Sequence, residues 1–566
     1  MVEDIHFSLL SSPLALPIAL LLIVKGFKAF QSLRQNEESK PALAPHSVPL
    51  VGHSKMFLRE PAKLASIISN STGFEKIIRF KLPFEELWFA RGSSQILQIL
   101  SDPKTFDFGP MKSMVLQRIL GLPDKAVEVA NHDDSGVSRK PLPHSNVPPE
   151  RRFNYLERKA TKDFTRLPSH AAFVEHFEEN LYQWLDICDI ADDWLTFSDL
   201  YIFIRDLLFR ATSDAFFGPH LLQLSPHLAE DIWKFDANVP FLAKGFPSIF
   251  NRQARKVRAR CTEAFRKWRS FALNEKADML PEWNKTSGLK CMSLRKELFE
   301  NFEEWDDDSC AASDLAVLFG LSSNSIRATF WFFLETLQSK DLFEDAAKEM
   351  SSAITAPGLT TPTHQMPPRF DIRRLSQLPL LQSIYSETLR MYVSIMILRT
   401  TQQKSKLAEW AVSKGQKFAV CNYSQHMDEN LWSSETSGTP PVTPPVTAFW
   451  GRRFLLYSDS ESLNTRPMRK DSVIDSTSDS NSEDAPRFST EGFGTKYFPF
   501  GFGERICPGR HFAKVQTLLT FALLLRTFEI VLMVPEGWKP SPDMKYFGYG
   551  TMPPDMPTPF RIRRRA

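Results

Sequence analysis

The run Phe500-Gly-Phe-Gly-Glu-Arg-Ile-Cys-Pro-Gly-Arg-His-Phe-Ala513 sets a single thiol at the junction of a tight turn and a helix, and no other stretch constrains the fold as much. Gly501 and Gly503 open backbone conformations closed to residues with a side chain. They deliver Cys507 just ahead of a helix that Pro508 starts without losing a needed N–H. A helix N-terminus favours a negative sulfur, so a thiol there is readily a thiolate, and Gly509 lets a flat ligand come close. Behind the sulfur, Phe512, Val515, Leu518, Leu519, Ala522 and Leu525 recur at helical spacing and give a core face, hence a rigid support. Three readings of this cysteine differ in chemistry. A zinc site would use Cys507 and His511, but no second Cys/His pair lies at suitable spacing. A buried inert cysteine leaves the flanking Gly, Arg and Pro without a purpose. The third reading is a thiolate ligand to haem iron.

The rest of the chain bounds the answer. Its 566 residues are 42% hydrophobic and 24% charged, which excludes a disordered or fibrous protein. Lys+Arg 69 against Asp+Glu 66 leave a net charge of +3, so no electrostatic footprint calls for nucleic acid. Cys188, Cys261, Cys291, Cys310, Cys421 and Cys507 form no close pairs in sequence, which fits a reducing compartment rather than a disulfide scaffold. Phe7 to Val24 carries no charge and as a helix nearly crosses a bilayer core; Pro13 and Pro17 are tolerable there. Glu3 and Asp4 precede it and Lys25, Lys28 and Arg34 follow, which puts the body on the cytoplasmic side of an uncleaved anchor.

Residues 1–34 thus read as anchor and basic flank, 35–53 as a stiff proline-rich strap, and 54–566 as one large body. From about residue 54 to 430 it reads mostly helical, with helical spacing clear in Phe173 to Leu185 and Tyr201 to Phe217. Polar stretches near 131–152, 433–447 and 458–490 lack the apolar content to pack and read as loop insertions. Leu315 to Leu334 is apolar apart from Arg327 and from Ser322-Ser323-Asn324-Ser325 at its middle. That polar cluster argues against a second span and for a central buried helix, opened locally where hydroxyls bond its own backbone.

The Phe500–Ala513 run resembles the haem-binding signature of the cytochrome P-450 family at Phe500, Gly501, Gly503, Arg505, Cys507, Gly509 and Ala513. Upstream, Leu378 to Arg390, with Pro379 in its first turn, looks like the family's Glu-x-x-Arg helix, and Glu387 and Arg390 share a helix face. Phe449-Trp-Gly-Arg-Arg453-Phe454 resembles the segment whose Arg completes a buried Glu/Arg/Arg cluster, and His426 to Trp432 the stretch that precedes it. Asn324, Ala328, Thr329, Phe330 and Trp331, with the tail Tyr546 to Pro554, resemble the subgroup of sterol 7α-hydroxylases and prostacyclin synthase. Where most oxygen-activating members carry an acidic residue and a Thr, this chain has Asn324 and Ser325.

The resemblance implies a mainly α fold of the cytochrome P-450 type, with a smaller β-rich part near the N-terminal third. It implies haem b with Cys507 as proximal iron ligand, Arg505 paired with a haem propionate, Phe500 packed beside the sulfur, and Gly501 and Gly509 shaping the approach. Glu387, Arg390 and Arg453 would be structural, and Asn324 and Ser325 would stand at the catalytic groove. Leu318, Phe319, Ser322, Ser323, the segment Val393 to Ile397 and Tyr549 to Met552 would line a pocket for a lipophilic substrate. Arg510 and Lys514 would face an NADPH–cytochrome P-450 reductase type flavoprotein, and the anchor would sit in the endoplasmic reticulum membrane. The implied activity is oxidation of a sterol, terpenoid or polycyclic secondary metabolite with dioxygen. The alternative is an isomerase or dehydratase that rearranges an oxygenated substrate without external electrons.

Overall fold

One helix organises the molecule. Asp307–Leu337 begins at Asp306, whose side chain accepts the Ser309 N–H, and carries Asp307 and Asp308 in its first turn, where the helix dipole favours negative charge. The apolar run makes it a buried helix, and its hydroxyls avoid an unpaired state by turning back on it. Ser325 Oγ donates to Leu321 O at 2.7 Å, Thr329 Oγ1 to Ser325 O at 2.9 Å and Thr336 Oγ1 to Phe332 O at 2.7 Å. Around it pack the helices Leu200–Phe217, Leu228–Ala243, Arg252–Ala272, Pro379–Tyr392 and Arg510–Thr527, which share one continuous apolar core with it. Thr329 and Thr517 hydroxyls meet at 2.9 Å between the central helix and the cysteine helix.

This computed structural model describes residues 40–48, 51–69, 76–83, 85–143, 145–165, 168–247, 249–355, 369–433, 444–457 and 486–565. The expected anchor Phe7–Val24 lies outside them, as do most of the 433–447 and 458–490 insertions. Among the described residues no helix is long and apolar enough to cross a membrane.

The β-rich part is not confined to the N-terminal third. Its main sheet runs Ile77–Leu82, Glu85–Ala90, Lys417–Cys421, Val393–Thr401 and Tyr549–Thr551, so more than half of the chain lies between the paired strands Glu85–Ala90 and Lys417–Cys421. Lys417–Cys421 pairs parallel with Glu85–Ala90 and antiparallel with Val393–Thr401, placing Val420 beside both Ala90 and Ile397. A second sheet joins Phe528–Leu532, Phe560–Arg564 and Leu195–Phe197. Apart from the hairpin Ile77–Leu82/Glu85–Ala90, these pairings are invisible to local patterning because the partner strands are short and separated in sequence.

The polar stretch near 131–152 is irregular, as its composition predicts, but it is tied down. Arg152 is buried and donates to Ser135 Oγ at 3.0 Å, Arg139 O at 2.8 Å and Ser138 O at 2.6 Å. A cation that satisfies its N–H groups on a loop's own carbonyls gives that loop one shape at no need of an apolar core.

Candidate active site

The turn ahead of the cysteine helix follows from its glycines. Gly501 and Gly503 have φ of +78° and +67°, the left-handed region, and Phe498 O accepts from Gly501 N at 3.1 Å. Phe500 O then accepts the Cys507 N–H at 3.0 Å, closing the loop under the sulfur. The helix proper runs Arg510–Thr527 with Gly509 at its N-cap, so Pro508 stands just before the helix rather than inside its first turn. Phe500 is half-buried against the main core. Cys507 is open to solvent on one side, yet enough protein surrounds it that burial raises its thiol above the ordinary value, against lowering by the Gly509 and Arg510 N–H groups and the Arg510 charge. The two observations describe a recess rather than an outer surface. Desolvation thus opposes the pull of the helix end at this sulfur. A Cβ on Gly509 would meet nothing nearer than Cys507 Sγ at 3.9 Å, so the face over the sulfur is clear.

Behind this loop Glu387, Arg390 and Arg453 come together. Glu387 and Arg390 are fully buried, with Arg390 Nε to Glu387 Oε2 at 2.7 Å and Nη2 to Oε1 at 2.8 Å, a bidentate pair. Arg453 Nε reaches the same carboxylate at 3.0 and 3.1 Å, and the Trp450 N–H adds a further bond at 3.0 Å. Arg453 also donates to the carbonyls of Pro444, Pro445 and Ala448. A carboxylate that accepts from two guanidinium groups and an amide is satisfied in spite of its burial.

A second set of cations is unbalanced. Arg505 holds its guanidinium 4.3 Å from the Phe108 ring, and Arg399 lies 5.0 Å from the same ring. Among the described residues neither forms an ion pair, nor do Lys112 and Arg158. Burial, then repulsion from Arg505, pushes Arg399 down to about 10 in spite of Asp107. Lys112 is pushed down to about 8 by burial, with Arg505 adding repulsion and Asp107 opposing it. Burial, followed by Arg158, lowers Arg505 as well. Like charges gathered in a partly dry place are costly without a counter-anion.

On the central helix Gly320 and Asn324 stand exposed, one turn apart, within a run that is otherwise mostly buried. Nothing lies within 4 Å of where a Gly320 Cβ would stand. Asn324 Oδ1 accepts the Thr551 N–H at 2.8 Å, and among the described residues Nδ2 has no partner. Its neighbour in sequence behaves otherwise. Ser325 is buried with its hydroxyl spent on Leu321 O, so the structure does not bring it to the open face with Asn324. Of the other expected lining residues, Ser323 gives its hydroxyl to Asp236 at 2.5 Å, Leu318 is fully buried, and Phe319 is half-buried. Arg510 bonds Cys507 O at 3.1 Å and Lys514 bonds Gln382 at 3.1 Å, so both are partly engaged on the molecule itself.

The family model for cytochrome P-450 matches residues 203–435 and 484–556, more than half of the chain. The chain belongs to the cytochrome P-450 family. Among curated relatives, cytochrome P-450 monooxygenase efuG of Hormonema carpetanum is 28% identical over 98% of this chain and 96% of its own length. Cytochrome P-450 monooxygenase fsoE of Humicola fuscoatra is 29% identical over 93% of this chain and 88% of its own. Cholesterol 7-alpha-monooxygenase of Cricetulus griseus is 25% identical over 64% of this chain and 65% of its own. This cytochrome P-450 is therefore an oxidoreductase of the monooxygenase type, and its family implies haem iron with a cysteine thiolate.

The residues present fit that group. A recessed sulfur with a clear face suits an axial ligand, and Arg158, Arg399 and Arg505, with Lys112 held by Ala130 O and Asn154, form no ion pair among the described residues and suit two carboxylates on one edge of a flat molecule. Sequence reasoning found only Arg505 of these four. Lys112, Arg158 and Arg399 sit singly in distant segments with no motif around them, and the pairing of Phe106–Asp107 with Thr400 and Thr401 draws the first of these segments to the strand that carries Arg399.

Proposed function

We propose that this cytochrome P-450 holds haem b through Cys507 and oxidises a lipophilic sterol, terpenoid or polycyclic secondary metabolite, with electrons passed from NADPH by a flavoprotein reductase. The observation that carries the reading is the recessed Cys507 beside a clear glycine face, together with Lys112, Arg158, Arg399 and Arg505, which form no ion pair among the described residues. When bound, the haem would supply activation of dioxygen and transfer of one oxygen atom to the substrate, the thiolate favouring O–O cleavage.

The chain's own residues divide the remaining work. Cys507 fixes the iron side, while its turn, closed by Phe500 O, limits water at the sulfur. Lys112, Arg158, Arg399 and Arg505 neutralise and orient the propionate edge. Asn324, with Oδ1 held by Thr551, keeps Nδ2 for an acceptor on the open face, so it positions a substrate oxygen or a water there. Ser325 has no part in this, since its hydroxyl is taken. Similarity to an enzyme named for cholesterol supports a polycyclic substrate, as does the apolar bulk of Phe319, Ile395 and Tyr549. Phe7–Val24 is read as a single anchor that keeps the catalytic body on the cytoplasmic face of the endoplasmic reticulum.

The purified protein, reduced and exposed to carbon monoxide, is expected to show the red-shifted absorption of thiolate-bound haem, and Cys507→Ser to lose it. An unshifted band in the unmodified protein overturns the reading. Turnover of the substrate without reductase, NADPH or dioxygen would instead favour the isomerase or dehydratase chemistry, which the absence of an acidic side chain at the Gly320–Asn324 face keeps in view.

A further inference from the structure

His426 has no part in the chemistry above, yet it touches both the buried ion cluster and the segment that delivers the sulfur. It ends the short helix Asn422–His426, directly after the strand Lys417–Cys421, and is fully buried. Its Nδ1 stands 3.1 Å from Arg390 O, and its Nε2 meets the Phe498 N–H at 3.2 Å. An amide N–H can only donate and a carbonyl can only accept, so the ring proton sits on Nδ1 and the lone pair on Nε2. Arg390 closes the contact from the other side, with Nη1 to His426 O at 2.8 Å. The rings of Tyr497 and Phe498 pack against the imidazole with centroids 5.4 and 6.0 Å away. A second ring proton would set N–H against N–H. Burial first, then the Arg390 charge, keep it off and push the group down to about 3.

Phe498 is the residue from which the sulfur-bearing turn springs. Its carbonyl accepts the Gly501 N–H, and two residues later Phe500 O accepts the Cys507 N–H. Pro499 has no N–H, so the Phe498 amide is the last donor before the turn that can fix its position. Hydrogen bonds and the short backbone stretch Phe498–Gly501 therefore link Arg390 O through the imidazole to the backbone of Cys507.

We propose that His426 is a positioning residue for Cys507: by accepting from Phe498 while donating to Arg390, it ties the turn that carries the sulfur to the helix that carries the buried ion cluster. The proposal rests on the reading of Cys507 as iron ligand. Released from Phe498, the turn would let the sulfur draw back from the iron or meet water, and a thiolate that meets water takes up a proton.

Two substitutions separate the bonds. His426→Asn places an amide where Nδ1 stands, keeping the donor to Arg390 and losing the acceptor for Phe498. His426→Gln reaches the place of Nε2, keeping the acceptor for Phe498 and losing the donor to Arg390. The full-length, haem-loaded proteins are reduced under carbon monoxide, and the conversion of the red-shifted band to an unshifted one is timed beside haem content and thermal unfolding. His426→Asn is expected to convert about fivefold faster than the unmodified protein, equivalent to about 1 kcal/mol, and His426→Gln within about twofold of it. Equal conversion in the two variants, or loss of haem from both, overturns the proposal and leaves His426 a folding residue. A missing red-shifted band in the unmodified protein overturns the reading of Cys507 instead.

Discussion

Arg327 of the central helix and Asp236 of the helix Leu228–Ala243 form an ion pair with only 3% and 4% of their side chains exposed. Ser323 donates to the other carboxylate oxygen, Arg327 Nη1 donates to Thr551 O at 3.1 Å, and the guanidinium lies 4.3 Å from the Tyr546 ring. One pair thus joins the central helix, a flanking helix and the strand Tyr549–Thr551, whose residues are expected to line the substrate pocket. Its attraction has to offset the desolvation of two charges, so the pair serves placement more than net stability. Asp236→Ala leaves Arg327 charged without its carboxylate, and is expected to cost about 3–5 kcal/mol of unfolding free energy, read by denaturant unfolding. Pairing Asp236→Leu with Arg327→Met should recover most of that loss, and a double variant no more stable than Asp236→Ala would show that the charge is not the cause.

The cation set near Phe108 has opposite consequences with and without haem. With propionates in place, Arg399→Gln removes a charge-assisted bond worth about 1.5–3 kcal/mol, so haem should transfer to a competing apoprotein at least about tenfold faster. Without haem the same change relieves repulsion between Arg399 and Arg505, and the apoprotein should unfold at an equal or higher temperature. Stopped-flow haem transfer and calorimetry on the two forms read these separately. A loss of stability in both would make Arg399 a packing residue.

What the sequence disclosed and what it withheld divide along one physical line. The Cys507 turn, the Glu387–Arg390 pair and the central helix each rest on interactions within a few residues, so glycine conformations, helix spacing and apolar runs were enough to place them. Arg399, Lys112 and Asp236 act only after strands and helices far apart in sequence have docked, and nothing beside them in the chain marks them. Ser325 fails for a subtler reason. Adjacent residues on a helix point about 100° apart, so Asn324 and Ser325 cannot share one groove position, and the hydroxyl finds the backbone first.

The depressed imidazole of His426 has a signature in acid. An unfolded histidine titrates near about 6.5, whereas in the fold this one is pushed down to about 3. Below the unfolded value the unfolded chain takes up a proton that the folded one refuses, so stability falls as pH drops from about 6.5 towards 3, by about 1.4 kcal/mol per pH unit for this group. His426→Gln has no such group. The stability gap between the unmodified protein and His426→Gln should narrow by about 1.4 kcal/mol between pH 7.5 and 5.5. Urea unfolding at the two pH values measures it, and a constant gap would mean that the folded imidazole titrates normally.

Gly550 ties the last prediction to the open face of the central helix. Its φ is +127°, and a Cβ there would stand 2.0 Å from Asn324 Oδ1, inside any real contact distance. Gly550→Ala must therefore displace the Asn324 amide from the Thr551 N–H, besides straining the strand. If Asn324 Nδ2 orients an oxygen at the reacting face, Gly550→Ala and Asn324→Ala should damage the same step. Product formed per NADPH consumed is expected to fall by at least about tenfold in both, with the difference appearing as peroxide, since loss of a positioned donor costs about that much or more. Ser325→Ala should stay within about twofold of the unmodified protein, because only a bond to Leu321 O is lost. A Ser325→Ala variant as uncoupled as Asn324→Ala would show that the hydroxyl leaves its helix during turnover and would remove Asn324 from its assigned position at the open face.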